Sequence, residues 1–272
     1  MNGPKLLEQY VGKLVTSAGA FFPGERAVFR GHDLHASLKD MDWLELYLFG
    51  ITGRRFTPQQ MKVLHAIWSY TSYPDARLWN NRVAALAGTA RSTGSLGIAA
   101  ALGVSEAQIY GGGSLTKAIA FLLKARLSVG RGEMLADVVA AALRVGYIMG
   151  FGRPITSSDE RIEPMMKLLR EHGFDRGAHV QLAFSVEKIL VARNPALRMN
   201  YAGLVAAVAA DLGFSPQEFD LLIIPLFLAG MSPCYQDAVE KPEGLLFPLP
   251  CRVMLYEGVP HRRWHTVAAT SN

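Results

Sequence analysis

Gly150-Phe151-Gly152-Arg153-Pro154, followed after a short spacer by Asp159-Glu160-Arg161, is the stretch whose reading decides the fold. A helical segment rich in small residues precedes it. An amphipathic one follows, with Ile162, Met165, Met166, Leu168 and Leu169 on its inward face. Glycines let a chain turn sharply and approach a ligand closely. Two arginines beside such a turn suit a bound anion, because each guanidinium offers a planar fork of donors to a carboxylate or phosphate.

Outward from that loop, the chain reads as helix in both directions. Strand signals are nearly absent, since the β-branched residues sit among alanines rather than in alternating runs. Residues 41–50 form a short helix capped by Asp40 or Asp42 and stopped by Gly50. Thr57-Pro58-Gln59-Gln60 is a helix start with a cap, a proline in the first turn and a glutamine at the third position. Residues 78–102 carry so many alanines and glycines that a buried helix is expected, with close packing offsetting roughly 1 kcal/mol per glycine. Gly111-Gly112-Gly113 lacks the lysine and hydroxyl pair of a phosphate loop. Helices at 115–128, 134–147, 178–193 and 201–212 follow, and Ser215-Pro216-Gln217-Glu218 starts another that runs to residue 229. After Pro233 the prolines predict mainly irregular structure. The result is an all-α chain of about ten or more helices.

The 272 residues suffice for one large domain or two smaller ones. Half are hydrophobic and 19% are charged, which marks a globular chain. The net charge of +5 is dispersed in short groups such as Arg54-Arg55, without the basic run or interleaved aromatics of a nucleic-acid surface. A small anionic ligand suits it better. The apolar stretch 221–229 is about half a membrane span and contains Pro225, so no membrane role is expected. The N-terminus has no signal-peptide pattern. Cys234 and Cys251 give no disulfide framework, and neither they nor the histidines have metal-ligand spacing. A reduced, cytoplasmic protein without a metal is the expectation.

Four stretches in order resemble the citrate synthase superfamily. Residues 28–34 and 43–50 are similar to its early "RG-x-D-I/L … LL-x-G" signature, and 81–113 to its small-residue helix and glycine turn. The loop at Gly150 is similar to GFGHR, spacer, DPR; residues 195–204 are similar to "P-N-L-x-x-N-V-D-G-L". In size and pattern the chain looks closest to citryl-CoA lyase and the corresponding module of ATP citrate lyase. The resemblance implies a citrate synthase-like two-domain helical fold. Residues 1–114 and 214–272 would form a discontinuous large domain and 115–213 a small one. It implies a homodimer with an interdomain cleft. Coenzyme A, as thioester substrate or product, would lie on the small-domain side, near Phe151 and Gly152.

The family's catalytic positions are replaced. Its first histidine falls on Tyr110, its second on Arg153 and its aspartate base on Ala202. A phenol can donate to an oxyanion, but with an ordinary pKa of about 10 it is a poor proton shuttle. A guanidinium binds anions and gives up no proton near neutrality. The family's substrate arginine is present as Arg161. Asp75, Arg77, Asn81 and Arg82 stand where the family has a histidine-rich substrate segment. They read as a remodelled site, with Asp75 as acid or base and the others binding substrate, or else as an interface ion-pair network. Two functions follow as expectations. One is a diverged protein that binds an acyl-CoA or carboxylate-bearing thioester and makes or breaks a C–C or thioester bond by a non-standard route. The alternative is a non-catalytic ligand-binding, regulatory or partner subunit.

Overall fold

The computed structural model describes residues 3–153, 158–249 and 251–259. Eleven α-helices run along the described residues: α1 (Pro4–Glu8), α2 (Trp43–Thr52), α3 (Pro58–Thr71), α4 (Trp79–Thr89), α5 (Gly94–Val104), α6 (Gly112–Gly130), α7 (Leu135–Val145), α8 (Ile162–His172), α9 (Ala178–Arg193), α10 (Tyr201–Asp211) and α11 (Pro216–Val239). The starts follow the local chemistry. Asp42 caps α2 by accepting from the Glu45 amide at 2.9 Å. Thr57 with Gln60, and Ser215 with Glu218, close reciprocal capping boxes on α3 and α11.

The near-absence of strands does not hold at the N-terminus. An antiparallel meander of β1 (Gly19–Phe22), β2 (Arg26–Phe29) and β3 (His32–Asp33) lies against α2. Arg30 fixes it there, its guanidinium donating to the Gly50 carbonyl at 2.9 and 2.7 Å. A Cβ on Gly50 would stand 2.5 Å from the Phe29 ring, so the glycine permits this contact. Apolar hollows of about 510 and 490 Å³ open between meander and α2.

The 78–102 segment is two helices rather than one. The chain turns at Arg91, at φ 58°, and Thr93 caps α5. Nor is α5 wholly buried: Gly97 and Ala101 are buried, and Ile98 and Leu102 pack partly buried against Ala84 and Met231. α11 also runs ten residues past the expected end at 229, through Pro225 and Pro233. Proline at 225 leaves the carbonyl four residues back without its helical donor. That carbonyl, on Leu221, accepts instead from the Tyr47 hydroxyl at 2.6 Å.

α6, α7, α9 and α10 pack on one another, with α10 buried continuously from Gly203 to Ala210. α4, α5 and α11 form a second group, in which Gly88 lets α4 approach the Tyr235 backbone; α11 also lies along α2, α3 and α6. α11 is long and apolar enough to cross a membrane by length and composition, and here Phe219, Leu222, Leu226 and Met231 are buried in this packing.

Candidate functional site

The Gly150 loop is held by the start of α10. Gly150 has φ 92°, and a Cβ on it would stand 2.7 Å from the Gly203 Cα. A Cβ on Gly203 would meet the Gly150 carbonyl at 2.3 Å, so both positions need glycine for the backbones to touch. Asn200 ties the two segments. Its backbone N–H donates to Gly150 at 3.0 Å and its side-chain amide to the Gly152 carbonyl at 2.8 Å, while its oxygen caps Gly203. The Gly152 N–H donates to the Arg198 carbonyl at 2.6 Å, and Phe151 is buried in a bridge with Met199. Both backbone groups of Gly152 thus have internal partners, and Phe151 serves the core.

The two arginines of the loop also have internal partners. Arg161 grips Asp159 with its fork, Nε to Oδ1 at 2.8 Å and Nη2 to Oδ2 at 2.9 Å. The Arg161 and Tyr201 amides donate to the same carboxylate at 3.2 and 2.8 Å. The Asp159 side chain is 0% exposed. Burial alone would raise its pKa, but the hydrogen bonds and charge of Arg161, with the Tyr201 amide, hold it below the usual aspartate value. Arg161 lies over the rings of Tyr201 and Tyr73, 4.6 and 5.1 Å from their centroids. Burial drives the Tyr201 phenol far above its ordinary pKa.

Arg153 Nη1 donates to Glu160 Oε2 at 2.7 Å and to the Ser158 carbonyl at 2.9 Å, and its Nε lies 3.8 Å from Asp159. The Tyr73 hydroxyl donates to Glu160 Oε1 at 3.0 Å. Two guanidiniums face two carboxylates, so the cluster is electrically closed. Sequence reading paired the arginines with an external anion and missed Tyr73, Glu160 and Tyr201. Asp159 and Glu160 were in plain view beside Arg161; Tyr73, 87 residues away in sequence, had no local signal.

The remaining candidates lie in the α3–α4 turn, at the start of α4 and just before α6. Asp75 accepts the Arg77 fork at 2.7–3.1 Å in a surface pair, with the Arg77 side chain 89% exposed. Arg77 holds the carboxyl below the usual range. That is an exposed local ion pair, not a desolvated acid or base. Asn81 is buried and donates to the Tyr73 carbonyl at 2.6 Å, while Arg82 reaches the Ala76 and Arg77 carbonyls. These residues fix the α3–α4 turn, which aims Tyr73 at the arginine cluster. Tyr110 stands just before α6, 61% exposed and at φ 60°, a strained conformation for an aromatic residue. Ala202 is half-buried and carries no base. Asp211, the nearest carboxylate on α10, caps α9 through the His179 and Val180 amides and contacts the His179 ring. Asp220 of α11, which sequence reading passed over, accepts from Thr116 of α6 at 2.9 Å. The two apolar hollows contain none of these residues. Among the described residues no group of three His, Cys, Asp or Glu could hold a metal.

No family model and no curated protein sequence matches the chain. Its fold does match solved structures. Citryl-CoA lyase from Hydrogenobacter thermophilus superposes with a TM-score of 0.80 at 18% identity, over 93% of this chain and 97% of that one. ATP citrate lyase from Methanothrix soehngenii, in complex with citrate and coenzyme A, gives 0.73 at 16% identity, over 95% of this chain and 45% of that one. Citrate synthase from Thermotoga maritima gives 0.64 at 19%, over 86% and 62%. The chain therefore has the citrate synthase-like helical fold.

Proposed function

We propose that this protein binds a carboxylate-bearing acyl-CoA ester in a cleft between a large domain, residues 1–114 and 214–272, and a small one, 115–213, and acts on a C–C or thioester bond by a route of its own. One observation carries the reading: the fold superposes along almost the entire length of citryl-CoA lyase. A solved relative in complex with citrate and coenzyme A supports the ligand class. The usual base and both histidines are replaced by Ala202, Tyr110 and Arg153. In this reading Arg153 and Arg161 contribute anion recognition, and the strained Tyr110 donates to a developing oxyanion. Asp75, ion-paired with Arg77 at the surface, is the candidate acid or base of this reading.

A second reading, a ligand-binding subunit without catalysis, is favoured by the closed charge balance at the loop. Both carboxylates beside the arginines are ion-paired, and so neither is poised to take a proton.

Two measurements decide between them. Thermal melts with coenzyme A, acetyl-CoA and citryl-CoA should show a rise in Tm, since ligand at a hundredfold its Kd adds about 2.7 kcal/mol. No shift with any CoA species would sink both forms of the proposal. Thiol release and oxaloacetate formation from citryl-CoA are then followed. Turnover that Tyr110→Phe abolishes supports the enzyme, and binding without turnover supports the subunit.

A further inference from the structure

The two internal carboxylates of the loop are held very differently. Asp159 is fully buried and accepts four hydrogen bonds. Glu160 is 57% exposed and is held by Arg153 Nη1 and the Tyr73 hydroxyl. The first is part of the framework, because breaking a buried pair leaves an uncompensated charge. The second is an exchangeable surface contact, of a kind generally worth little. Arg153 is itself positioned independently of Glu160, through the Ser158 carbonyl and the charge of Asp159. Tyr73 is positioned through its backbone carbonyl, which accepts from buried Asn81, and through its ring, which lies under Arg161. A guanidinium donor and a phenol donor thus converge on one carboxylate from two separate loops, with the carboxylate itself largely open to solvent.

We propose that Arg153 and Tyr73 form a carboxylate-binding pair whose built-in occupant is Glu160, and that the carboxylate of an incoming ligand takes the place of Glu160. Tyr73 is then a recognition residue and Glu160 an internal competitor. The idea rests on the reading that this loop meets a carboxylate-bearing ligand. It adds that apparent affinity is lowered by the fraction of time Glu160 occupies the pair. Arg153 and Tyr73 hold the Glu160 carboxyl below the usual glutamate pKa, so near neutrality the competitor is charged and in place.

Isothermal titration with citrate as the probe tests this. Glu160→Gln removes the competing charge and should bind citrate on the order of tenfold more tightly than the unaltered protein. In the Glu160→Gln background, Arg153→Gln should abolish that gain and Tyr73→Phe should reduce it several-fold. If E160Q fails to melt cooperatively, Glu160→Asp replaces it, with a smaller gain expected from the shorter reach. Unchanged or weaker citrate binding in the folded variant overturns the proposal, because a merely structural Glu160 predicts that result. Citrate binding to neither protein while coenzyme A still raises Tm also overturns it and leaves the CoA reading standing. A tighter E160Q with no response to any CoA species keeps the pair and discards the CoA reading.

Discussion

Asp159 supplies the negative charge around which the loop is built. Its carboxylate joins Arg161, the amide of Tyr201 and, at longer range, Arg153. Asp159→Asn keeps the shape and removes the charge, leaving Arg161 stacked between two tyrosines without its counter-ion. Loss of one partner of a buried pair costs about 3–5 kcal/mol, and the low end applies because the Arg161 side chain retains 22% exposure. Urea unfolding at neutral pH reads this directly. The pH dependence has a definite sign. The folded pKa of Asp159 lies below its unfolded value, so its contribution is complete above about pH 4 and lost as pH falls through the folded pKa. The gap in stability between wild type and Asp159→Asn should be constant above pH 4 and shrink below it. A gap that persists unchanged into acid would remove Asp159 as the electrostatic anchor.

At the scale of elements, α11 shows how a proline is accommodated inside a helix. Tyr47 reaches from α2 to the Leu221 carbonyl that Pro225 leaves without a partner. Tyr47→Phe keeps the ring and deletes that bond, and should cost about 1–2 kcal/mol in chemical denaturation. A change below a few tenths would mean that water satisfies the carbonyl equally well. The two capping boxes were legible in sequence because all their chemistry lies within four residues. The full length of α11 was not: sequence reading carried the helix past Pro225 to residue 229 and took Pro233 as a stop, whereas the helix continues through Pro233 to Val239. β1 to β3 escaped because four-, four- and two-residue strands are too short to show alternation. At the site, the glycines and arginines of the loop were readable. What the arginines bind was not: an arginine in sequence looks the same whether its partner is a ligand or the carboxylate next door.

For the whole molecule, α5 carries the largest unsettled balance. It contains no charged residue, and Leu96, Ala99, Ala100, Gly103 and Val104 lie exposed along one stripe, Leu96 at 66%. A helix apolar on every side is normally buried, which is why burial was expected from composition. Within one chain only Gly97 and Ala101 achieve it. We propose a second copy as the occupant of this face, since a two-fold interface would set uncharged stripe against uncharged stripe. A stable interface buries roughly 800 Å² per partner. Leu78, Trp79 and Leu86 of neighbouring α4, with Ile109 and Tyr110 beyond the end of α5, add exposed apolar area towards that size. Sedimentation should show a dimer at micromolar concentration. Leu96→Glu with Ala100→Glu should give a monomer of unchanged helicity, since neither side chain contributes to the monomer core. A wild-type monomer, or a variant that remains dimeric, would exclude α5 as the interface. Tyr110 is exposed and follows α5 by six residues, so the monomeric variant should also bind CoA esters more weakly if the partner helps to enclose the ligand. Equal affinity in monomer and dimer would confine the site to a single chain.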